Sequence, residues 1–272
     1  MEAHNAQGSA QPGSHPEEYG LRGSEFQRMM VNRSAGRQAA FLLPYLQPGM
    51  DLLDCGSGPG SITVDLASLV APGQVVGIDI GDEEVERARV YAAEKGIANV
   101  TFRVGDVYAL PFADATFDAV FSNALLDHLS APQQAIAEMY RVLKPGGVLG
   151  VRTADRDGYL MTPHDPLIEA WTVRSEQAKL AQGVHVRIGK KLRSFFTQAG
   201  FVDVEASASY DCYGTADRVR ALGEAMAKRA DKDTHPEAAQ LAAAWRRWGQ
   251  SPDAFMAQSL CEAVGWRPSE IR

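Results

Sequence analysis

Cysteine is scarce. The 272 residues hold three, Cys55, Cys212 and Cys261, far apart and without a C-x-x-C pair. That usage excludes a disulfide framework and a thiolate zinc site, and the six histidines fall at no metal-ligand spacing. No apolar run approaches the roughly 18 residues of a membrane-spanning helix. The N-terminus lacks the charged-then-apolar order of a secretory leader. Positive charge is also short: 27 Lys and Arg against 34 Asp and Glu leave a net charge of -7. A phosphate-tracking surface needs the opposite balance, so a nucleic-acid partner is not expected. The cytoplasm is the default expectation, with no membrane and no metal, and a homodimer is left open.

What is present is an ordinary globular composition, 45% hydrophobic and 22% charged, long enough for one large domain. Residues 1 to about 22 are rich in Gly, Ser, Pro, Gln and His and read as a mobile tail. Residues 23–272 read as a single domain. It opens with a helix from about 25 to 46, stopped by Pro48-Gly49. Strands and helices then alternate. "MDLLDC" is a strand, and Ser61 to Ala71 a helix with Ile62, Leu66, Leu69 and Val70 on one face. "QVVGIDI", "NVTFRV", "FDAVFSN" and "GGVLGVRT" are further strands. "GDEEVERARVYAAEKG" and "PQQAIAEMYRVLK" are the helices between them. This order implies a parallel sheet covered on both faces, with ligands at the carboxyl ends of the strands. After Asp155 the regularity lapses. Helices are expected around 167–181, in "GKKLRSFFTQAG" and across 215–250. "FVDVEASASY" reads as a strand, and "FMAQSLCEAVGW" fits helix or strand by periodicity.

The segment "LLDCGSGPG" sets Gly56, Gly58 and Gly60 on alternate positions after the first strand. Glycine tolerates positive φ and lets another group lie against the peptide plane, and a helix N-terminus beside it favours an anion. Asp79 ends the second strand, where a carboxylate can accept from both ribose hydroxyls. Asp106 follows the third, where it can receive an exocyclic amine while the Val107 N–H meets a ring nitrogen. Together these describe a nucleoside-like ligand. The dinucleotide fingerprint G-x-G-x-x-G would place its third glycine at 61, which is Ser, so a pyrophosphate binder is disfavoured.

"LLDCGSGPG", "VVGIDI", "VGDVYALPF" and "RVLKPGGVLGV" resemble, in order, the motifs of class I S-adenosylmethionine-dependent methyltransferases. The likeness is to the ubiquinone/menaquinone-biosynthesis-type (methyltransferase type 11) small-molecule group. It is strong from 39 to 153 and looser beyond, and Cys55-Gly56-Ser57 departs from the more usual Val-Gly-Cys. The resemblance implies an α/β, Rossmann-like fold: a seven-stranded, mostly parallel sheet with an antiparallel last strand. It makes "FMAQSLCEAVGW" a strand and makes the segments near 156–186 and 214–252 helical lid insertions. It implies S-adenosyl-L-methionine as cofactor and S-adenosyl-L-homocysteine as product. Asp54 lies in the first motif. Gly56, Ser57 and Gly58 would lie against the methionine part, Asp79 and Ile80 around ribose and adenine, and Asp106 and Val107 at the adenine edge. Asn123 would lie near the transferable methyl, and Tyr19 and Arg28 would close over the cofactor.

The activity implied is methyl transfer to a small-molecule acceptor by in-line displacement. The alternative is a protein of the same fold that binds the cofactor for a non-methylating rearrangement or as a sensor. An acceptor that must lose a proton needs a base. His128 and Asp155, which follow the fourth and fifth strands, are the catalytic candidates, with Tyr159 and His164 as acceptor-binding candidates. Each has a plainer alternative as a structural hydrogen-bonding group. Trp245 and Trp248 share a helix face and read as lid core.

Overall fold

The computed structural model describes residues 33–269. Tyr19, Arg28, the tail at 1–22 and the first part of the expected 25–46 helix lie outside the described residues. Within them that helix is reduced to α1 (Ala35–Gln38) and a 3-10 turn at Leu43–Tyr45. Pro44 sits at the start of the turn, where it has no N–H to continue an α-helical ladder.

The central alternation forms as the pattern predicts. The strands are β1 (Leu52–Cys55), β2 (Val75–Asp79), β3 (Val100–Val104), β4 (Phe117–Asn123) and β5 (Leu143–Ala154). The helices are α2 (Ser61–Val70), α3 (Asp82–Lys95) and α4 (Pro132–Val142). The strands pair in parallel in the order β3-β2-β1-β4-β5. Because β1 lies between β2 and β4, the strand order reverses at its carboxyl end, the point where open α/β sheets bind ligands.

α5 (Pro166–Ala181) and α6 (Leu192–Ala199) follow, and Gly200 in the left-handed region closes α6. β7 (Val202–Tyr213) and β8 (Phe255–Trp266) complete the seven expected strands. β8 runs antiparallel to β5 and to β7, which settles "FMAQSLCEAVGW" as a strand. An eighth strand, β6 (Leu160–Thr162), lies in the stretch whose sequence is irregular. It pairs with β8 along the edge β5 has left. Between β7 and β8 stand α7 (Ala216–Ala230) and α8 (Ala238–Gln250).

Side chains alternate across the sheet into two cores. Leu53, Val120, Leu149 and Val151 meet Ile136, Met139 and Phe196 of α4 and α6 on one face. Leu52, Phe121 and Val148 meet Ala35, Leu42 and Leu66 on the other. A third core stands apart from both, where Trp171 of α5 meets Leu222 of α7 and Trp245 and Trp248 of α8. Trp245 and Trp248 are 1% and 3% exposed and pack edge to face. They are core, as their spacing suggests.

Gly60 caps α2 at φ +81°, and a Cβ there would lie 2.8 Å from both the Ala88 Cβ and the Phe102 ring. Both neighbours are buried. Gly60→Ala is expected to combine left-handed strain with overpacking, about 2–4 kcal/mol. Urea unfolding measures it; a loss below about 1 kcal/mol, the least overpacking normally costs, would show that the turn relaxes freely.

Candidate cofactor and acceptor site

The glycine loop leaves β1 and is pinned to its neighbour strand. The Gly56 and Ser57 amides both donate to the Ile78 carbonyl, at 2.8 and 2.9 Å. Gly56 and Gly58 have φ of +77° and +52°, backbone shapes that side chains disfavour. Asp79 holds the loop against α3. Its Oδ2 accepts from the Gly58 amide at 2.9 Å and its Oδ1 from the Gly81 amide at 3.0 Å. A carboxylate offers about four lone-pair sites, so Asp79 ties two chain segments and keeps capacity for a further donor. Asp54 is buried beneath, and the Thr63 hydroxyl donates to it at 2.6 Å.

Burial pushes the Asp54 carboxyl up to about 7; the Thr63 bond opposes the shift and the nearby Asp79 charge adds to it. Burial also raises Asp79, against the pull of amide bonds from Gly81, Gly58 and Ile80. Both groups therefore bind protons more tightly folded than unfolded. Asp54 stabilises the fold fully below the unfolded carboxyl value of about 4, and that contribution is lost as pH rises from there through about 7. In Asp54→Asn the amide oxygen can still accept from Thr63. Its melting temperature, minus that of the parent, is expected to grow between pH 5 and 8. A difference that stays flat would show that Asp54 does not titrate in this interval.

The remaining predicted cofactor residues gather around this loop. Ile80 and Val104, at the ends of β2 and β3, are 48% and 47% exposed, apolar surface of the kind that flanks a base. Asp106 accepts from the Tyr108 amide at 2.8 Å and Val107 is buried. Asn123 ends β4, buried, and its Oδ1 accepts from Arg152 Nη1 at 3.3 Å. The Ser57 hydroxyl is buried and has no hydrogen-bond partner among the described residues, a deficit that a polar ligand would satisfy. These residues fit the cofactor that the resemblance implies.

The acceptor candidates are less gathered. His128 follows β4 in a 3-10 turn, its Nε2 3.6 Å from Asp127 Oδ2. The Thr153 hydroxyl donates to Asp127 at 2.8 Å and anchors that pair to β5. Asp155, expected to face the acceptor, instead has both carboxylate oxygens occupied by amides, Asp157 at 3.0 Å and Lys190 at 2.9 Å. It is 4% exposed and fastens the turn after β5 to the segment before α6. A carboxylate held in this way still offers about two lone-pair sites. His164 points outward, 67% exposed, against Glu169 at 2.6 Å. The Tyr159 hydroxyl is directed at Met256, and burial pushes it up to about 12.

Sequence reasoning missed Thr63, Arg152 and Glu262. Arg152 is buried on β5, and its Nε donates to the buried Glu262 of β8 at 3.2 Å. Ser209 and Ser207 of β7 complete the carboxylate's shell at 2.5 and 2.9 Å. The signal lay in the alternation, because a charged residue falls in phase with Val148 and Gly150 inside "GGVLGVRT". Among the described residues no group of three or more His, Cys, Asp or Glu could hold a metal ion, and no helix could cross a membrane.

A family model described as a methyltransferase domain matches residues 46–200. The chain belongs to the class I S-adenosylmethionine-dependent methyltransferases. It is 30% identical over 234 residues to an uncharacterised methyltransferase of Schizosaccharomyces pombe, covering 77% of this chain and 82% of that protein. It is 32% identical over 181 residues to the demethylmenaquinone methyltransferase of Symbiobacterium thermophilum, covering 59% and 72%. Among solved structures, Haemonchus contortus phosphoethanolamine N-methyltransferase 2, in complex with phosphomonomethylethanolamine and S-adenosylhomocysteine, superposes with a TM-score of 0.58. That likeness is 22% identical and covers 86% of this chain and 53% of that one. This methyltransferase uses S-adenosyl-L-methionine as its cofactor.

Proposed function

We propose that this methyltransferase transfers the methyl group to a small-molecule acceptor, by in-line displacement, in a space over the ends of β4 and β5. The observation that carries the reading is the separate tryptophan-centred core of α5, α7 and α8, raised from the turn after β5 and from the ends of β7 and β8. Such a layer suits enclosure of a small acceptor, and the net charge of -7 is opposite in sign to that of a phosphate-tracking protein. The demethylmenaquinone and phosphoethanolamine relatives are named for small acceptors as well.

The bound cofactor supplies a methyl already made electrophilic by its sulfonium. The chain's share is placement and exclusion of water. The Gly56–Gly58 loop and Asp79 fix one partner, while the β4 and β5 ends and the helical layer fix the other. Alignment of this kind supplies roughly 7–11 kcal/mol in favourable intramolecular cases. Where the acceptor atom carries a proton, His128, steadied by Asp127, removes it.

Incubation with methyl-labelled cofactor and a cell-extract metabolite pool is expected to label a low-molecular-weight product. Label confined to protein or nucleic acid would refute the small-molecule reading. His128→Ala is expected to lower turnover at least tenfold while product-cofactor affinity stays within twofold. Unchanged turnover would return His128 to structural duty.

A further inference from the structure

Asn123, Arg152 and Glu262 project from the sheet face that carries α1, because Phe121, Val148 and Val264 of the same strands lie in that core at even spacing. On β7, Ser207, Ser209 and Asp211 alternate onto the same side. Two guanidiniums from opposite elements reach one oxygen of Asp211: Arg218 of α7 at 3.0 Å and Arg37 of α1 at 3.4 Å. Arg218 also stacks over the buried Tyr213 ring at 4.9 Å. Among the described residues, Arg37, Arg152 and Arg218 face two carboxylates, Asp211 and Glu262. The Glu262 carboxylate accepts from Arg152 and two serines. Arg152 Nη2 has no partner among the described residues.

This row of guanidiniums begins beside Asn123 and runs away from the cofactor loop. β7 is three strands from β4 by way of β5 and β8, about 14 Å at ordinary strand spacing. Each guanidinium has N–H groups beyond the one on Asp211; a cofactor seated over β1 and β4 does not reach Arg37 or Arg218, so an added anion there belongs to a different molecule. The neighbouring walls are apolar, formed by Tyr213, Met256 and Tyr159.

Granting the small-molecule reading above, we infer that the acceptor is an apolar carboxylic acid whose carboxylate is recognised by Arg37, Arg152 and Arg218. Guanidinium forks match planar carboxylates with two parallel hydrogen bonds. The acid lies with its reacting end near Asn123 and its charged end toward β7.

The test uses the full chain saturated with S-adenosylhomocysteine. Ligand-detected NMR titrations follow matched pairs, hydroxylated one- and two-ring aryl carboxylic acids against their primary amides. Acids are expected to bind at least tenfold more tightly than the amides. The preference is expected to vanish in Arg37→Gln/Arg218→Gln, whose replaced side chains are both solvent-facing, while S-adenosylhomocysteine affinity stays within twofold. Amides binding as well as acids, acids unaffected by the double substitution, or no acid binding to the loaded protein would each overturn the inference. Failure of S-adenosylhomocysteine itself to bind would instead overturn the reading on which the inference rests.

Discussion

Asp79→Ala is expected to weaken S-adenosylhomocysteine binding well over tenfold by calorimetry, the largest effect of any single change at the cofactor loop. Two losses add. The first is local: the Gly58 and Gly81 amides, at 2.9 and 3.0 Å, lose the acceptor that joins the loop to α3. The second is the pair of charge-assisted bonds to ribose that the resemblance assigns to Asp79, each worth roughly 1.5–3 kcal/mol. A ribose-modified ligand separates them. Wild type should discriminate strongly against the 2′-deoxy form of the product cofactor, and Asp79→Ala should bind both forms alike. If the variant still discriminates, the ribose hydroxyl is read by another group and Asp79 serves only the loop.

Glu262→Leu is expected to destabilise the fold by about 3–5 kcal/mol, the cost of leaving a buried charge without its partner. Arg152 is 7% exposed, and its ion pair sits among two serines and an asparagine rather than water. Burial already lowers the arginine's hold on its proton, with Glu262 opposing that shift. Removing both charges together, Arg152→Met with Glu262→Leu, should recover most of the loss, because no isolated ion remains. Urea unfolding of the four proteins in the cycle gives the coupling. Equal costs for the single and double variants would show that water reaches the arginine once the carboxylate is gone.

The parts legible in the sequence are those built from local signals. Ser61 to Ala71 shows an apolar face at helical spacing, and the helix forms over Ser61–Val70. The three glycines of the loop all take positive φ, as their placement after a strand suggests. Asp79 ends β2 and Asp106 follows β3 by two residues, positions that the order of strands and helices already marks. The illegible parts depend on partners distant in sequence. β6 is three residues long and exists because β8 offers an edge beyond the end of β5; no periodicity reports that. Asp155 stands after β5 like a catalytic residue, yet the Lys190 amide, far along the chain, occupies it. Arg152 and Glu262 are separated by more than a hundred residues and meet only when β8 inserts beside β5.

The helical layer of α5, α7 and α8 keeps its largest apolar side chains to itself, touching the strands through Tyr213 and Met256 at its base. It is seated on β6, β7 and β8 through Met161, Tyr213 and Met256. Mutational drift, or a deliberate exchange of the segment between β7 and β8, can reshape what enters above the sheet without disturbing the nucleoside grip at β1 and β2. Chemistry and choice of acceptor are therefore free to evolve at separate rates in this chain.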